Sequence, residues 1–239
     1  MPVITVPILD LAAATPRSRL LEIDIRGHTL EFDPGQAVMF GASDQSDRRP
    51  YSIACSPERA AETGRLELLI AMEADGALGS NLGTAGRGML VDVEGPVGTF
   101  TLPKTLEADR VLFVAGGTGI APLRAMLDHL LRHRVAQPMS LLYSARRSDE
   151  FAFIDELRAH AEAGALELHP TVTRDQSGGW TGRRGRIARD HFEAVLHAPA
   201  ATLCFVCGPG SLVRESVATL RDLGVPEAHI RTESWLATG

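Results

Sequence analysis

The stretch VLFVAGGTGIAPL, residues 111–123, contains an apolar strand, a glycine turn and the start of a helix. Its uninterrupted apolar run, VLFVA, is typical of a central strand covered on both faces of a parallel sheet. The turn consists of Gly116, Gly117, Thr118 and Gly119, and Pro122 suits a first helical turn, where an N–H has no intrahelical partner. Such a turn lets a dinucleotide pyrophosphate approach the backbone and the helix dipole. The stretch predicts a nucleotide-binding α/β domain; a glycine turn of an unrelated α/β protein is the alternative.

The residues after this stretch continue the alternation of strands and helices. The further strand-like runs are MSLLYSA, LELHPTVT, TLCFVCG and HIRTESW. The helical patterns are PLRAMLDHLLRHR, EFAFIDELRAHAE, RIARDHFEAVL and SLVRESVATLRDLG. This alternation predicts a five-stranded parallel, Rossmann-like sheet with helices on both faces, over residues 105–239.

The residues before this stretch have a different pattern, with short strand-like runs in place of alternating strands and helices. Six short β-branched or alternating runs are separated by turn signals: VPILDL, LLEIDI, AVMFGA, PYSIAC, RLELLIAM and MLVDVEG. They predict a six-stranded antiparallel barrel over residues 1–104, joined to the α/β domain through the linker-like segment LPKTLEAD.

A second glycine turn lies in FVCGPGSLV, residues 205–213, where Cys207, Gly208 and Pro209 end a strand. Ligands of open α/β sheets bind beyond the carboxyl ends of the strands, so both turns are expected to face one crevice. Cys207 would there offer a small, polarizable side chain that lets a flat ring come close. A buried cysteine at a strand end is the alternative.

In the first half, DRRPYSIACSP places Arg49, Pro50, Tyr51 and Ser52 at one strand edge. In a strand, Arg49 and Tyr51 share a face and Ser52 points to the other. Arginine suits a phosphate, tyrosine a flat ring and serine a ring nitrogen. The tetrapeptide alone is equally compatible with an ordinary strand.

Composition excludes several classes of protein. The net charge of −6, without basic stripes interleaved with aromatics, argues against nucleic-acid binding. The sequence has no apolar run of membrane-spanning length and no secretory signal pattern, so we expect a cytoplasmic protein without a membrane partner. Three cysteines are too few for a disulfide scaffold or a four-thiolate cluster. Cys204 and Cys207 form a C-x-x-C within a strand, so we expect no metal site and no redox pair.

Taken together, RPYS, GALGSNL, GGTGIAP, CGPGSL and ESW, in this order, resemble the ferredoxin–NADP reductase superfamily over essentially the whole chain. The resemblance implies a bound FAD, with FMN as the alternative. It also implies an oxidoreductase that moves hydride from NADPH or NADH to the flavin. Nicotinamide C4 must then lie about 3–3.5 Å from flavin N5, with one ring supplied by each domain.

The resemblance also implies roles for individual residues. In RPYS, Arg49 would bind a flavin phosphate, Tyr51 would pack on the isoalloxazine, and Ser52 would lie near N5. The flavin pyrophosphate would be held by Gly79, Ser80 and Asn81, and the nicotinamide dinucleotide by Gly116, Gly117, Thr118, Gly119 and Pro122. The residues Cys207, Gly208 and Pro209 would lie near the nicotinamide.

The resemblance places Ser52, Cys207 and Glu233 around the point of hydride transfer. Trp235 would be the aromatic residue that covers the flavin. Plant-type members end at that aromatic, whereas Leu236, Ala237, Thr238 and Gly239 follow here. A displaced ring, or a ring that only packs the last strand, is the alternative for Trp235.

The choice of nucleotide depends on a site for the 2′-phosphate. Thr173 and Arg174 resemble the Ser-Arg pair of NADP-dependent members, with Arg146 or Arg147 as a helper, which favours NADPH. Conversely, WTGRRGRI resembles a segment of NADH-using relatives. The five arginines between Arg174 and Arg189 are equally suited to docking an acidic ferredoxin.

The sequence leaves the electron acceptor open. We expect a separate acceptor, such as a ferredoxin or an oxygenase component, and a monomer. One alternative is an NAD(P)H:flavin reductase that uses free flavin as substrate, since DRRPYSIACSPE also resembles the flavin strand of those enzymes. Another is an electron-transfer subunit that works only within a larger complex.

Overall fold

The computed structural model describes residues 3–43, 45, 47–72 and 85–235, without the side chain of Trp235. Within these residues the chain forms two compact units. The first comprises the residues up to Pro103 together with Ala121–His133. The second comprises Lys104–Ile120 and the residues from Arg134 onward. A helix from the second half of the sequence therefore belongs, by its contacts, to the first unit.

The first unit contains a six-stranded antiparallel sheet, as predicted. Its strands are β1 (Val3–Thr15), β2 (Ser18–Asp24), β3 (Ala37–Ala42), β4 (Arg49–Ser52), β5 (Arg65–Ala71) and β6 (Leu90–Val97). Their order in the sheet is β4-β3-β6-β1-β2-β5. An antiparallel bridge between Ile53 and Leu68 joins the two ends of this order and closes the barrel. Alternate residues such as Ile8, Leu21, Ile23 and Val93 point inward and are almost fully buried.

Helix α1 (Pro57–Thr63) lies between β4 and β5, where the sequence analysis predicted only a turn. The serine hydroxyl of Ser56 accepts from the backbone N–H of Arg59, Pro57 stands in the first turn, and Gly64 ends the helix with φ +66°. These are the usual start and stop signals of a helix. The helix was missed because seven residues are too few to show an apolar period.

The second unit contains a parallel sheet with helices, as predicted. Its strands are β7 (Arg110–Gly116), β8 (Met139–Ala145), β9 (Glu167–Val172), β10 (Arg183–Arg184), β11 (Thr202–Pro209) and β12 (Ile230–Trp235). The helices of the second half are α2 (Ile120–Arg132), α3 (Ile154–Glu162), α4 (Arg189–Val195) and α5 (Gly210–Asp222). None of the helices in the described residues is both long enough and apolar enough to cross a bilayer.

The prediction of five strands in this sheet was wrong, because six are present in the order β10-β9-β8-β7-β11-β12. The additional strand, β10, pairs two exposed arginines with Thr171 and Val172 at the edge of the sheet. Two exposed charged residues carry no periodic apolar signal, so the sequence pattern could not reveal this strand.

Candidate functional site

The two glycine turns lie side by side at the carboxyl ends of β7 and β11, which pair in parallel with Cys207 opposite Ala115. A Cβ atom on Gly208 would lie 3.1 Å from the backbone nitrogen of Gly116, and one on Gly116 would lie 2.9 Å from Cδ of Pro209. Glycine is required at both positions because the two turns approach each other so closely.

Gly117 has a different reason to be glycine. Its φ is +56°, and a Cβ atom there would meet nothing within 4 Å. The residue is exposed, and the 3-10 turn Gly117–Gly119 leads directly into α2. The first N–H groups of a helix have no intrahelical acceptor, so this turn presents donors and a positive dipole end toward open space. The residues present therefore fit the pyrophosphate of a dinucleotide.

Tyr143, which was not predicted as a site residue, stabilises the turn at Gly117 through its hydroxyl group. Its phenol donates to the carbonyl of Gly117 at 3.3 Å and accepts from the N–H of Ala152 at 3.1 Å. Complete burial raises the pKa of this phenol, so it keeps its proton and can remain a donor. An apolar strand gives no sign that one of its side chains reaches a neighbouring turn.

Cys207 and Glu233, predicted to act together, are direct neighbours. They are partners in the parallel register of β11 and β12, and Sγ lies 3.7 Å from Oε2. Burial raises the pKa of the Cys207 thiol well above its usual range, and the charge of Glu233 adds to that effect. The thiol is therefore neutral and unreactive, and it donates to a half-buried carboxylate at the strand end.

The other member of the C-x-x-C sequence lies in a different environment. Cys204 belongs to the apolar core that includes Leu112, Val114 and Val206, and burial raises its pKa to about 12. Both cysteines are free. Burial of both as protonated thiols gives no support to a redox pair or a thiolate metal site.

Arg146, Thr173 and Arg174 meet where β8 and β9 end. The N–H and hydroxyl of Thr173 donate to the carbonyl of Ala145 at 3.0 and 3.3 Å, and the N–H of Arg174 donates to the carbonyl of Arg146 at 2.8 Å. Arg174 is exposed and Arg146 is half-buried. Two cationic side chains thus follow adjacent strands at the carboxyl edge of the sheet.

The nearby acid, Asp175, is already engaged. Its carboxylate accepts from the backbone N–H groups of Ser148 at 2.8 Å and Ser177 at 2.7 Å. Hydrogen bonds from those two residues hold the pKa of Asp175 well below its usual range. These two hydrogen bonds stabilise the loop after β9.

In the first unit, β4 carries RPYS beside β3. The Tyr51 ring meets Phe40 edge-on, with 5.9 Å between the ring centroids and an interplanar angle of 87°. Arg49 lies 3.5 Å from the exposed carboxylate of Asp47, and Ser52 is half-buried. Pro50 is exposed on its strand, where it needs no ladder donor. Gly79, Ser80 and Asn81 lie outside the described residues.

Helix α2 carries two buried charged residues that sequence reasoning missed. The Arg124 guanidinium, 4% exposed, donates to the Glu67 carboxylate at 2.5 Å and to the carbonyl of Ala54 at 2.7 Å. Asp128 accepts from the hydroxyl of Ser56 at 2.6 Å and from Arg59 at 3.1 Å. Both sets of contacts hold the segment that follows RPYS.

Comparisons with known proteins agree with this arrangement. Residues 13–102 match the family model of the oxidoreductase FAD-binding domain, and residues 113–217 match that of the oxidoreductase NAD-binding domain. The chain is 34% identical over 197 residues to ferredoxin–NADP reductase B of Sorangium cellulosum, covering 79% of this chain and 78% of that protein. The chain belongs to the ferredoxin–NADP reductase superfamily. It is accordingly an oxidoreductase that uses FAD and NAD(P)H.

Other members of the superfamily match over part of their length. The chain is 36% identical over 152 residues to methane monooxygenase component C of Methylosinus trichosporium, covering 63% of this chain but 43% of that protein. It is 27% identical over 222 residues to the anthranilate 1,2-dioxygenase electron transfer component of Acinetobacter baylyi, covering 91% of this chain and 62% of the other.

Solved structures of the superfamily share the fold. The ferredoxin NADP+ reductase from Neisseria gonorrhoeae, with bound FAD and NADP, superimposes with a TM-score of 0.83 at 21% identity, covering 98% of this chain and 99% of that one. An Amycolatopsis cytochrome P450 reductase gives the same TM-score at 23% identity, covering all of this chain and 72% of the other.

Proposed function

We propose that this reductase takes hydride from NADPH in preference to NADH, and delivers the electrons to a separate ferredoxin or oxygenase component. The observation that carries the nucleotide preference is the pair of arginines at adjacent strand ends. NAD-binding domains commonly use an acid to bind the ribose hydroxyl, whereas an arginine accommodates a 2′-phosphate. Arg146 and Arg174 follow β8 and β9, and the nearby Asp175 carboxylate is occupied by two backbone N–H groups.

Each proposed role follows from what the side chain offers. Gly116 to Gly119 provide backbone donors for the pyrophosphate, and Pro122 lies in the first turn of the helix whose dipole supports them. Gly208 and Pro209 belong to the adjacent turn. Arg49 provides a cation for a flavin phosphate, and Tyr51 a ring for the isoalloxazine. The FAD supplies the capacity to accept a hydride and to release electrons one at a time.

Cys207, Glu233 and Ser52 are the residues proposed to surround the reacting atoms. The neutral Cys207 thiol offers a small surface that lets the nicotinamide ring approach without introducing a charge. The Glu233 carboxylate, hydrogen-bonded by that thiol, can stabilise positive charge on the oxidised nicotinamide. The Ser52 hydroxyl can donate to a flavin ring nitrogen. For Trp235, whose backbone pairs with Pro209, we propose a position near the flavin ring.

A separate acceptor is supported by the chemistry of these 239 residues and by the names of relatives. The three cysteines are buried and free, so an iron–sulfur acceptor would be held elsewhere. Two relatives are named as components of a methane monooxygenase and of an anthranilate dioxygenase, and a third as a ferredoxin–NADP reductase.

The test is anaerobic reduction of the purified, FAD-loaded chain. Bleaching of the flavin absorption bands is followed in a stopped-flow instrument with NADPH and, separately, with NADH. We expect a higher apparent affinity for NADPH. An equal response to both nucleotides would refute the preference.

A second assay addresses the acceptor. Ferredoxin-dependent reduction of cytochrome c is measured with NADPH, with and without an added [2Fe–2S] ferredoxin. Stimulation by the ferredoxin supports the proposal. Activity that appears only when free flavin is supplied in excess would instead identify a flavin reductase.

A further inference from the structure

His129 lies in the last turn of α2, His133 directly follows that helix, and both contact the same carboxylate of α1. Nδ1 of His129 lies 2.9 Å from Oε1 of Glu58, and Nε2 of His133 lies 3.1 Å from the same oxygen. The two imidazole rings have centroids 4.4 Å apart. All three residues belong to the first unit.

The second oxygen of Glu58 distinguishes this cluster from an ordinary surface ion pair. Oε2 is buried and has no hydrogen-bond partner among the described residues. A buried carboxylate oxygen without a partner is costly, because it has lost its hydration. Glu58 therefore retains coordinating capacity that the two imidazoles do not satisfy.

The separations are close to those of a metal site. With bonds of about 2.0–2.1 Å, tetrahedral zinc holds its ligand atoms roughly 3.4 Å apart. The ligand atoms of Glu58, His129 and His133 all lie within 4.8 Å of one another, so small side-chain rotations bring them to that spacing. Two imidazoles and one carboxylate form a donor set that suits Zn²⁺ and neighbouring divalent transition ions.

We propose that Glu58, His129 and His133 bind one divalent transition-metal ion, with Zn²⁺ as the reference ion. In the metal-bound form, the two ring nitrogens and the Glu58 carboxylate coordinate the ion instead of pairing with one another. A water molecule completes the fourth position, since the His133 side chain is 55% exposed. The ion ties α1 to α2 across about 70 residues of sequence and stabilises the packing of α2 on the barrel. No metal site was expected from the sequence, although His129 and His133 have the H-x-x-x-H spacing.

The experiment titrates the metal-stripped, FAD-loaded chain with ZnCl₂ by isothermal calorimetry and follows thermal unfolding with and without the metal. We expect one Zn²⁺ per chain and a higher Tm when it is present. His133→Ala should weaken binding at least about tenfold, since even outer partners of metal ligands cost 10–100-fold. His129→Ala and Glu58→Gln should do the same, and FAD content checks that each variant is folded.

His169→Ala is the matched control. His169 also contacts a glutamate, Glu167, at 3.0 Å, but those residues do not form a three-ligand cluster in the described structure. Its removal should leave Zn²⁺ binding unchanged. As a second measurement, electron paramagnetic resonance of bound Cu²⁺ should show coupling to nitrogen that weakens in His129→Ala and disappears in His129→Ala/His133→Ala. Absence of stoichiometric binding, binding that survives in the double variant His129→Ala/His133→Ala, or equal loss in His169→Ala would overturn the proposal.

Discussion

Replacing Arg124 with methionine should destabilise the first unit strongly. Arg124 is buried on α2, and its guanidinium provides both the counter-charge of Glu67 and a donor to the carbonyl of Ala54. Methionine keeps most of the side-chain volume but removes both interactions. Glu67, itself 9% exposed, would be left as a buried charge without its partner.

The expected loss of stability in Arg124→Met follows from the burial of the Arg124–Glu67 ion pair. Removing one member of a buried ion pair costs about 3–5 kcal/mol. For a chain of this size each kcal/mol lowers Tm by about 2–4 °C, so we expect a decrease of about 6–20 °C. The double variant Arg124→Met/Glu67→Met removes the stranded charge as well. It should lose the donor to Ala54, at a cost of about 1–3 kcal/mol, but leave no buried charge unpaired, and so be more stable than the single variant.

Thermal unfolding is followed by circular dichroism and by the fluorescence of released FAD. FAD release is informative because Ala54 lies two residues after Ser52, which is proposed to contact the flavin. Arg132→Met is the matched control on the same helix. It removes ion pairs with Glu62 and Asp128, but the Arg132 side chain is 30% exposed. The control should therefore cost no more than about 1 kcal/mol. If Arg124→Met unfolds no earlier than Arg132→Met, or if the double variant is no more stable than the single one, the reasoning is wrong.

Four further predictions concern the proposed site and its support. Arg49→Ala should lower the FAD occupancy of the purified chain, since it removes a charge-assisted bond to phosphate worth about 1.5–3 kcal/mol; unchanged absorbance would remove that role. Arg174→Ala should raise KM for NADPH by about 10- to 100-fold through the same loss and leave KM for NADH nearly unchanged; equal shifts in steady-state assays would exclude contact with the 2′-phosphate. Cys207→Ala should slow hydride transfer in stopped-flow experiments by about 10- to 100-fold, because ring positioning is sensitive to small displacements, while Tm changes little; a wild-type rate would leave Cys207 a packing residue. Burial raises the pKa of Asp128, but hydrogen bonds from Arg59 and Ser56 outweigh it and bring the value to about 2. The stability from this depressed pKa is therefore present above about pH 4 and lost as the pH falls toward 2, and Asp128→Asn should flatten the pH dependence of urea unfolding in that window.

The parts of the fold that the sequence revealed are those with a local signal. Each of the six barrel strands and the five longer parallel strands had apolar runs bounded by turns. The glycine turn at Gly116 was visible for the same reason, since strand, turn and helix are consecutive. The two-residue strand Arg183–Arg184 and the seven-residue helix α1 were too short to show a period.

The residues of the candidate site could be brought together from the sequence only where the order of the strands in the sheet was predictable. Once β11 and β12 are neighbours in a parallel sheet, Cys207 and Glu233 fall in register without further information. Likewise, Arg146 and Arg174 meet because β8 and β9 are adjacent. The support of the Gly117 carbonyl by Tyr143 was not predictable, because a buried strand gives no sign of where each phenol finds its acceptor.

The polar residues of α2 show why the remaining support escaped sequence reasoning. Arg124, Asp128 and Arg132 follow one another at intervals of four and form a stripe that a helical pattern assigns to solvent. Arg124 and Asp128 are nevertheless buried, because their partners belong to the barrel segment 54–67. Arg124 and Glu67 are 57 positions apart, and no local period links them. A buried charge without a partner would destabilise the fold strongly. The charged residues of α2 and their partners in the barrel must therefore be buried together as pairs. It follows that the segment after RPYS is positioned by a helix that the sequence order assigns to the second half of the chain, and that substitutions in α2 should alter this segment.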